Sequence, residues 1–199
     1  TTLYQRSLYQ SMRAQVRPTL QLLRKALGDL DDRTRREAEE VIESEARILQ
    51  IFSAVTSHRI DAARIRLHGD YHLGQVLHSG RDFVIIDFEG EPSRSPTERR
   101  IKRGALVDVA GMCRSFQYAV EVGLRSFEER GLLQPDKRNE LELFGLAWEV
   151  WVTIRFLAGY LEAAEGAPFV PKDHDDVRTL LMAYTLDKAL YEIRYELNS

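Results

Sequence analysis

One segment of this chain has the residue pattern of β-structure, and helical periodicity extends on both sides of it. Residues 64–104 contain short alternating runs and turn residues, which are typical of strands and loops. Elsewhere apolar residues recur at three- and four-residue intervals, which predicts helices over 2–27, 33–57, 105–131, 136–165 and 173–197. The sequence therefore predicts a mainly α fold with a small β-hairpin, of the α+β class.

We divide the 199 residues into a helical lead-in (1–63), a segment of catalytic and metal-binding loops (64–104) and a helical subdomain (105–199). Within the middle segment, 75–78 and 82–86 form the hairpin. Turn residues separate the last three helices at 131–135 and 166–168.

The middle segment carries polar residues in an order suited to phosphoryl transfer. His-Gly-Asp-Tyr-His-Leu-Gly-Gln occupies 68–75, and Asp87 follows a strand expected to be buried. Asp70, in a loop after a strand, can accept the proton of a substrate hydroxyl or orient it. Gln75 and Asp87 offer the oxygen ligands that Mg²⁺ prefers. This combination predicts kinase-like chemistry, with a carboxylate base and a magnesium site.

A second interpretation takes His68, Asp70 and His72 as ligands of a hydrolytic metal such as zinc. This spacing suits a metal site on a helix, and the glycines at 69 and 74 disfavour a helix here. The other histidines are isolated in the sequence. The metal-hydrolase hypothesis is therefore the weaker one.

The composition and charge of the chain argue against several other classes of protein. A net charge of −3 and a pI near 6.0 give no electrostatic footprint for nucleic acid. The apolar stretch 141–161 is interrupted by charges, which favours a buried amphipathic helix over a membrane span. Cys113, the single cysteine, fits a buried thiol in a reducing compartment. We expect a cytoplasmic protein with no leader peptide at its start.

Several blocks of this sequence resemble a known kinase group. They are HGDYHLGQVL (68–77), FVIIDFEGEP (83–92), ERRIKR (98–103), DVAGM (108–112) and YEIRYELN (191–198). On these residues the chain resembles the C-terminal lobe of aminoglycoside-phosphotransferase-like kinases, and within that group it most resembles bacterial maltokinases. The wider group has asparagine where Gln75 stands, and maltokinases are similar to this chain in having glutamine there.

The resemblance implies that Asp70 is the catalytic base and that Gln75 and Asp87 bind Mg²⁺. The implied reaction transfers the γ-phosphate of ATP to the anomeric hydroxyl of maltose, giving maltose 1-phosphate for α-glucan synthesis. Relatives of this kind occur alone or fused behind a trehalose synthase, which is therefore an expected partner.

The expected nucleotide clamp has no counterpart in the sequence. No Gly-x-Gly-x-x-Gly run occurs, and residues 1–63 are helical where a β-rich lobe would be expected. We therefore expect a chain excised from a longer protein without its N-terminal β-lobe. The nucleotide-binding residues are unidentified, and we expect residues 1–199 alone to bind ATP weakly and to turn over negligibly.

The sugar site is predicted from His72, Arg155 and Tyr160. His72 lies two residues beyond the base, and Arg155 is a charge within an apolar helix, where a buried charge needs a partner or a ligand. Trp148 and Trp151 form either part of that site or an aromatic stripe of the core.

One further alternative is a non-catalytic helical module that supports a fused or partner sugar enzyme and keeps the motif as a relic. Retention of Asp70, Gln75 and Asp87 together favours the enzyme, because a relic has no chemical need of all three.

Overall fold

The computed structural model describes residues 1–92, 95–132 and 137–198. Its helices are α1 (Thr2–Ala26), α2 (Asp32–Glu43), α3 (Glu45–Ala54), α4 (Pro96–Arg99), α5 (Leu106–Glu129), α6 (Arg138–Ala163) and α7 (His174–Glu196). Its strands are β1 (Arg64–Ile65), β2 (Val76–His78), β3 (Phe83–Ile85) and β4 (Arg103–Gly104). The predicted fold, mostly helical with small sheets, is confirmed. The predicted break at 131–135 lies partly outside the described residues.

The chain divides into two compact units. The first comprises residues 1–63 and the segment from Pro171 onward, and it contains α1, α2, α3 and α7. Its fully buried side chains come from three of these helices and the turn after α3, and include Met12, Val16, Leu20, Phe52, Val55 and Leu190. The second comprises residues 64–170 and contains the remaining elements.

Helix α1 runs through Pro18 without ending there. Proline removes one backbone donor, so a carbonyl one turn earlier lacks its helical partner. Pro18 and Ala14 both lie on the exposed side of the helix, where water can satisfy that carbonyl. The helix therefore tolerates this residue.

The single helix predicted over 33–57 is wrong, because the chain breaks at Ser44 into α2 and α3. Ser44 has φ −79° and ψ 7°, and its hydroxyl donates to the carbonyl of Glu40 at 2.9 Å. Serine competes for backbone groups in this way and bends helices. Asp31 starts α2 as its N-cap and accepts from the N–H groups of Arg33 and Thr34.

A buried glutamine ties the turn after α3 to α1. The Gln5 amide nitrogen donates to the carbonyls of Val55 at 2.8 Å and His58 at 2.7 Å, and its oxygen accepts from the Ile60 N–H at 3.3 Å. Gln5 is only 5% exposed. It satisfies turn groups that a short helix leaves without partners.

In the second unit, α5 packs along α6. Phe116 of α5 makes edge-to-face contacts with Trp148 and Phe156 of α6, at centroid distances of 6.4 and 5.6 Å. The Gln117 amide also donates to Glu149 at 2.9 Å. Cys113 is buried, as predicted, and burial followed by the nearby Glu149 carboxylate raises the pKa of its thiol to about 11.

Two small antiparallel sheets complete this unit. β1 pairs with β4, with Arg64 opposite Gly104, and β2 pairs with β3, with Leu77 opposite Val84. The predicted hairpin is thus present. The expectation that its second strand is buried is wrong, because Phe83, Val84 and Ile85 are 68%, 49% and 41% exposed.

Helix α6 contacts its own unit along one face only. None of its residues is fully buried, although the helix is rich in apolar residues. The premise that Arg155 is a buried charge is wrong, because its side chain is exposed, as is Trp151. Among the described residues, no helix combines the length and apolar composition that crossing a membrane requires.

We predict that Gln5→Ala lowers the free energy of unfolding by about 2–4 kcal/mol. The substitution leaves the Ile60 N–H and two carbonyls of a partly buried turn without partners. Urea denaturation measures the loss. The exposed Gln10 on the same helix is the control, and Gln10→Ala should change stability by less than about 0.5 kcal/mol. Equal losses in the two variants would contradict the role given to Gln5.

Candidate active site

The loop that begins at His68 is held by one carboxylate of α5. Asp108 Oδ2 accepts from the His68 N–H at 2.8 Å, and Asp108 Oδ1 accepts from the Gly69 N–H at 3.0 Å. Gly69 has φ +87°, a conformation that a residue with a side chain rarely adopts. Both carboxylate oxygens are thus used to fix the backbone immediately before Asp70.

Two more residues on the same face of α5 support the loop. The Ser115 hydroxyl accepts from the Leu73 N–H at 2.8 Å. At Gly111 an added Cβ would lie 2.9 Å from the Tyr71 carbonyl oxygen, so the loop backbone rests directly on the helix there. Asp108, Gly111 and Ser115 are spaced by three and four residues, which places them along one helix face.

His68 joins the loop to the end of the hairpin. Its Nε2 lies 2.7 Å from the Ile86 carbonyl, and its Nδ1 accepts from the Asp70 N–H at 3.4 Å. A carbonyl only accepts, so Nε2 carries the proton and the ring is neutral. His68 is 7% exposed and contacts the ring of Phe88 at 5.0 Å.

Asp70 and His72 lie side by side. His72 Nε2 is 3.7 Å from Asp70 Oδ2, and its Nδ1 accepts from the Gly74 N–H at 3.1 Å. The Asp70 side chain is 19% exposed and that of His72 is 41% exposed, so both reach solvent. Because Nδ1 accepts, the neutral ring presents its Nε2–H toward the carboxylate. The arrangement leaves Asp70 partly buried and able to take a proton from a group outside.

The hairpin brings Gln75 and Asp87 together. Gln75 ends a 3₁₀ turn just before β2, Asp87 follows β3, and the Gln75 amide nitrogen donates to Asp87 Oδ2 at 3.0 Å. Asp87 has φ 61°, the one left-handed non-glycine residue described, which aspartate tolerates better than most residues and which is often found at functional sites. An adjacent amide and carboxylate are a donor set that suits Mg²⁺.

Asp108 is a half-buried carboxyl group beside this loop. Burial raises its pKa, and the two N–H bonds from the loop offset part of that rise. A raised folded-state pKa means that this group's contribution to stability is lost as pH rises through that value. The hydrogen bonds from the loop thus reduce, but do not remove, the cost of charging this group.

Tyr160 of α6 also lies within reach of that charge. Burial, and then the Asp108 carboxylate, raise the pKa of Tyr160, and the same causes act on Tyr71. Arg155 is five residues earlier, roughly 140° away around the helix. Of the three predicted sugar-binding residues, His72 thus lies in the loop and Tyr160 is influenced by the Asp108 charge, whereas Arg155 lies on the exposed face of α6.

The geometry does not favour the hydrolytic-metal interpretation. Among the described residues no group of three His, Cys, Asp or Glu side chains is placed to hold a metal ion. Both ring nitrogens of His68 are already bonded within the protein. In the ERRIKR block (98–103), Arg99 has a structural contact, because it donates to the Pro92 carbonyl at 2.9 Å.

The sequence pattern predicts a site on the loop and hairpin but does not reveal the helix that holds the loop. Asp108 and Gly111 lie in the DVAGM block, for which the sequence alone indicates no role. The helix is otherwise apolar along this side. The polar or small residues at 108, 111 and 115 are therefore the sequence feature that indicates a contact with the loop.

The fold of this chain is similar to that of solved protein structures. No protein-family model matches the chain. The solved structures similar to it include glucosamine kinase in crystal form B, with a TM-score of 0.70 and 21% identity. Another is glucosamine kinase in complex with glucosamine, ADP and inorganic phosphate, with a TM-score of 0.68 and 18% identity. These alignments cover 100% of this chain and 42% and 44% of those chains. The chain therefore has a sugar-kinase-like fold.

Curated relatives match the sequence of this chain over a shorter stretch. A glucosamine kinase of Mycolicibacterium smegmatis is 44% identical over 62 residues, which are 31% of this chain and 15% of that protein. A glucosamine kinase of Streptacidiphilus jiangxiensis is 34% identical over 58 residues, which are 29% of this chain and 13% of that protein. The chain thus matches a small part of each relative's length.

We predict that Gly111→Ala destabilises the protein by about 1–3 kcal/mol, because its methyl group would overlap the Tyr71 carbonyl. Gly123 lies in the same helix with nothing within 4 Å of an added Cβ. Gly123→Ala should therefore stabilise by up to about 1 kcal/mol through helix propensity. Chemical denaturation of both variants, with amide exchange of 68–75, measures the effect. A Gly111→Ala protein as stable as Gly123→Ala would show that the loop does not rest on α5.

Proposed function

We propose that this chain is the acceptor and catalytic lobe of an ATP-dependent sugar kinase. The observation that carries the proposal is the convergence, on one loop and hairpin, of a supported carboxylate and an amide–carboxylate pair. Asp70 lies on a loop fixed by Asp108, and Gln75 bonds to Asp87. The sugar-kinase-like fold and the local identity to glucosamine kinases support the same assignment.

In the proposed reaction a sugar hydroxyl attacks the γ-phosphorus of ATP. The new bond joins the hydroxyl oxygen to that phosphorus, the bond to the β–γ bridging oxygen breaks, and ADP leaves. Asp70 accepts the hydroxyl proton, and the His72 ring lies 3.7 Å from its carboxylate. The bonds from Asp108 to the loop backbone keep Asp70 at a constant position, because positioning is most of the catalysis in this chemistry.

Gln75 and Asp87 are the residues proposed to hold Mg²⁺. Their oxygens are the hard ligands that this ion takes, and Asp87 projects from a turn at the end of the hairpin. When bound, the ion would neutralise charge on the phosphates of the nucleotide.

We propose maltose as the acceptor, with the anomeric hydroxyl as the group phosphorylated. The resemblance of the loop and hairpin blocks to maltokinases supports maltose. Glucosamine is the second candidate, because the relatives found are named glucosamine kinases and one of their structures holds glucosamine. A fused or partner trehalose synthase and a cytoplasmic location belong to the maltose proposal.

The exposed hairpin supports the proposal that this chain is one lobe of a larger kinase. Leu77 and Phe83 of the hairpin, and Phe88 next to Asp87 in the chain, are each more than half exposed. A surface of this kind is normally covered by protein or by a ligand. The structural neighbours are more than twice as long as this chain, so they contain additional protein that could cover it.

We predict that Asp70→Asn lowers kcat for sugar phosphorylation by about 10²–10⁴-fold, because the amide cannot accept the hydroxyl proton. The longest natural form of the protein is assayed with Mg-ATP by coupled detection of ADP. Asp61 has an 88% exposed side chain and belongs to the first unit, so Asp61→Asn is the control and should leave kcat unchanged. An Asp70→Asn enzyme with normal kcat would refute the assigned base.

We also predict that the same protein phosphorylates maltose with a kcat/KM at least about tenfold above that for glucosamine, because sites that hydrogen-bond one sugar reject another. A panel of sugars with ³¹P NMR of the products measures both the preference and the position. A preference for glucosamine would overturn maltose and leave the sugar-kinase proposal intact. Phosphorylation of no sugar would overturn both.

A further inference from the structure

Helix α6 carries a large apolar surface that no other described residue covers. The side chains concerned are 47–69% exposed and are Leu143, Phe144, Leu146, Val150, Trp151 and Ile154. At about 3.6 residues per turn they occupy one half of the helix. The opposite half, with Glu149 and Phe156, faces α5. We call the exposed half the α6 face.

The α6 face is too large to be an ordinary surface feature. Its six large side chains together present roughly 800 Å² of exposed apolar surface, whereas the largest patch of a typical monomer is about 300–600 Å². A standard protein–protein interface buries about 800 Å² on each partner. The exposed apolar area of the α6 face therefore matches the area that one partner buries in a standard interface.

The spacing along the α6 face indicates that a helix covers it. Exposed apolar residues recur at intervals of four, three and four residues, at positions 143, 147, 150 and 154. This is the pattern of a coiled-coil seam, in which side chains of one helix fit between those of another. Ala147, an exposed small residue in the middle of this seam, allows close approach.

We propose that the α6 face binds the α6 face of a second copy of this chain, with the two helices antiparallel about a twofold axis. A twofold interface needs a surface that complements itself. In the register that sets Arg155 opposite the partner's Glu140, Phe144 lies opposite the partner's Trp151. Ala147 then lies close to the twofold axis. The dipoles of the two helices point in opposite directions, which is electrostatically favourable.

Charge supports this register. Glu140 and Arg155 are both exposed near the two ends of the α6 face, and the Glu140 carboxylate also pairs with Lys137 of its own chain at 2.8 Å. Antiparallel pairing therefore makes two equivalent Glu140–Arg155 pairs, one at each end of the interface. A parallel pair would set Glu140 against Glu140 and Arg155 against Arg155, which is unfavourable.

Sedimentation velocity of the 199-residue chain between about 1 and 100 μM tests the proposal. We expect a species of twice the 23.0 kDa chain mass. Trp151→Glu should weaken the dimer at least tenfold while circular dichroism shows an unchanged fold, because Trp151 is exposed. Leu3, 78% exposed in the first unit, supplies the control Leu3→Glu, which should remain dimeric.

A cysteine pair of variants tests the register. Ala147→Cys should form a disulfide-linked dimer on oxidation, because position 147 lies beside the axis. Ala158→Cys, exposed on the same face but far from its symmetry mate, should not. A wild-type chain that is monomeric at every concentration would mean that something else covers the face, and equal cross-linking of both variants would exclude this packing. Either result overturns the proposal.

Discussion

The bonds from Asp108 to the backbone of His68 and Gly69 are the interaction on which the candidate site depends. A carboxylate inside a protein is unfavourable unless its oxygens are satisfied, and here both are satisfied by N–H groups of one loop. The loop is thereby tied to a 24-residue helix. Gly111 and Ser115 extend the same support by two more turns. Asp70 owes its fixed position to a helix that comes later in the chain.

The hairpin supplies the second half of the candidate site, Gln75 and Asp87, and it is held by different contacts. His68 bonds to the carbonyl of Ile86 and so connects the supported loop to the end of β3. Directly after that carbonyl, the left-handed conformation of Asp87 turns its carboxylate back toward Gln75. The loop and the end of the hairpin are short and largely exposed. They can still hold the site residues in place, because both are bonded to the buried His68 ring.

Local patterns predicted most of the helices and the hairpin, and failed where tertiary contacts decide. The roles of Asp70, Gln75 and Asp87 stay predictions, which rest on the order of these residues along the chain. The break at Ser44 depends on one serine bonding to its own helix, which periodicity does not reveal. The apolar neighbours of Arg155 predict a buried charge, but α6 packs on one side only. Local sequence does not reveal the partners of Asp108, because they are backbone groups 39 and 40 residues away.

Binding of Mn²⁺-ATP, followed by NMR of the 199-residue chain, tests the central claim most directly. Mn²⁺ replaces Mg²⁺ at oxygen ligands and broadens the signals of nearby amides, so weak binding suffices. We predict broadening centred on Gln75 and Asp87 that extends to Asp70 and His72 and is lost in Asp87→Ala. Broadening centred elsewhere, or unchanged in Asp87→Ala, would contradict the assignment of this loop and hairpin as a phosphotransfer site.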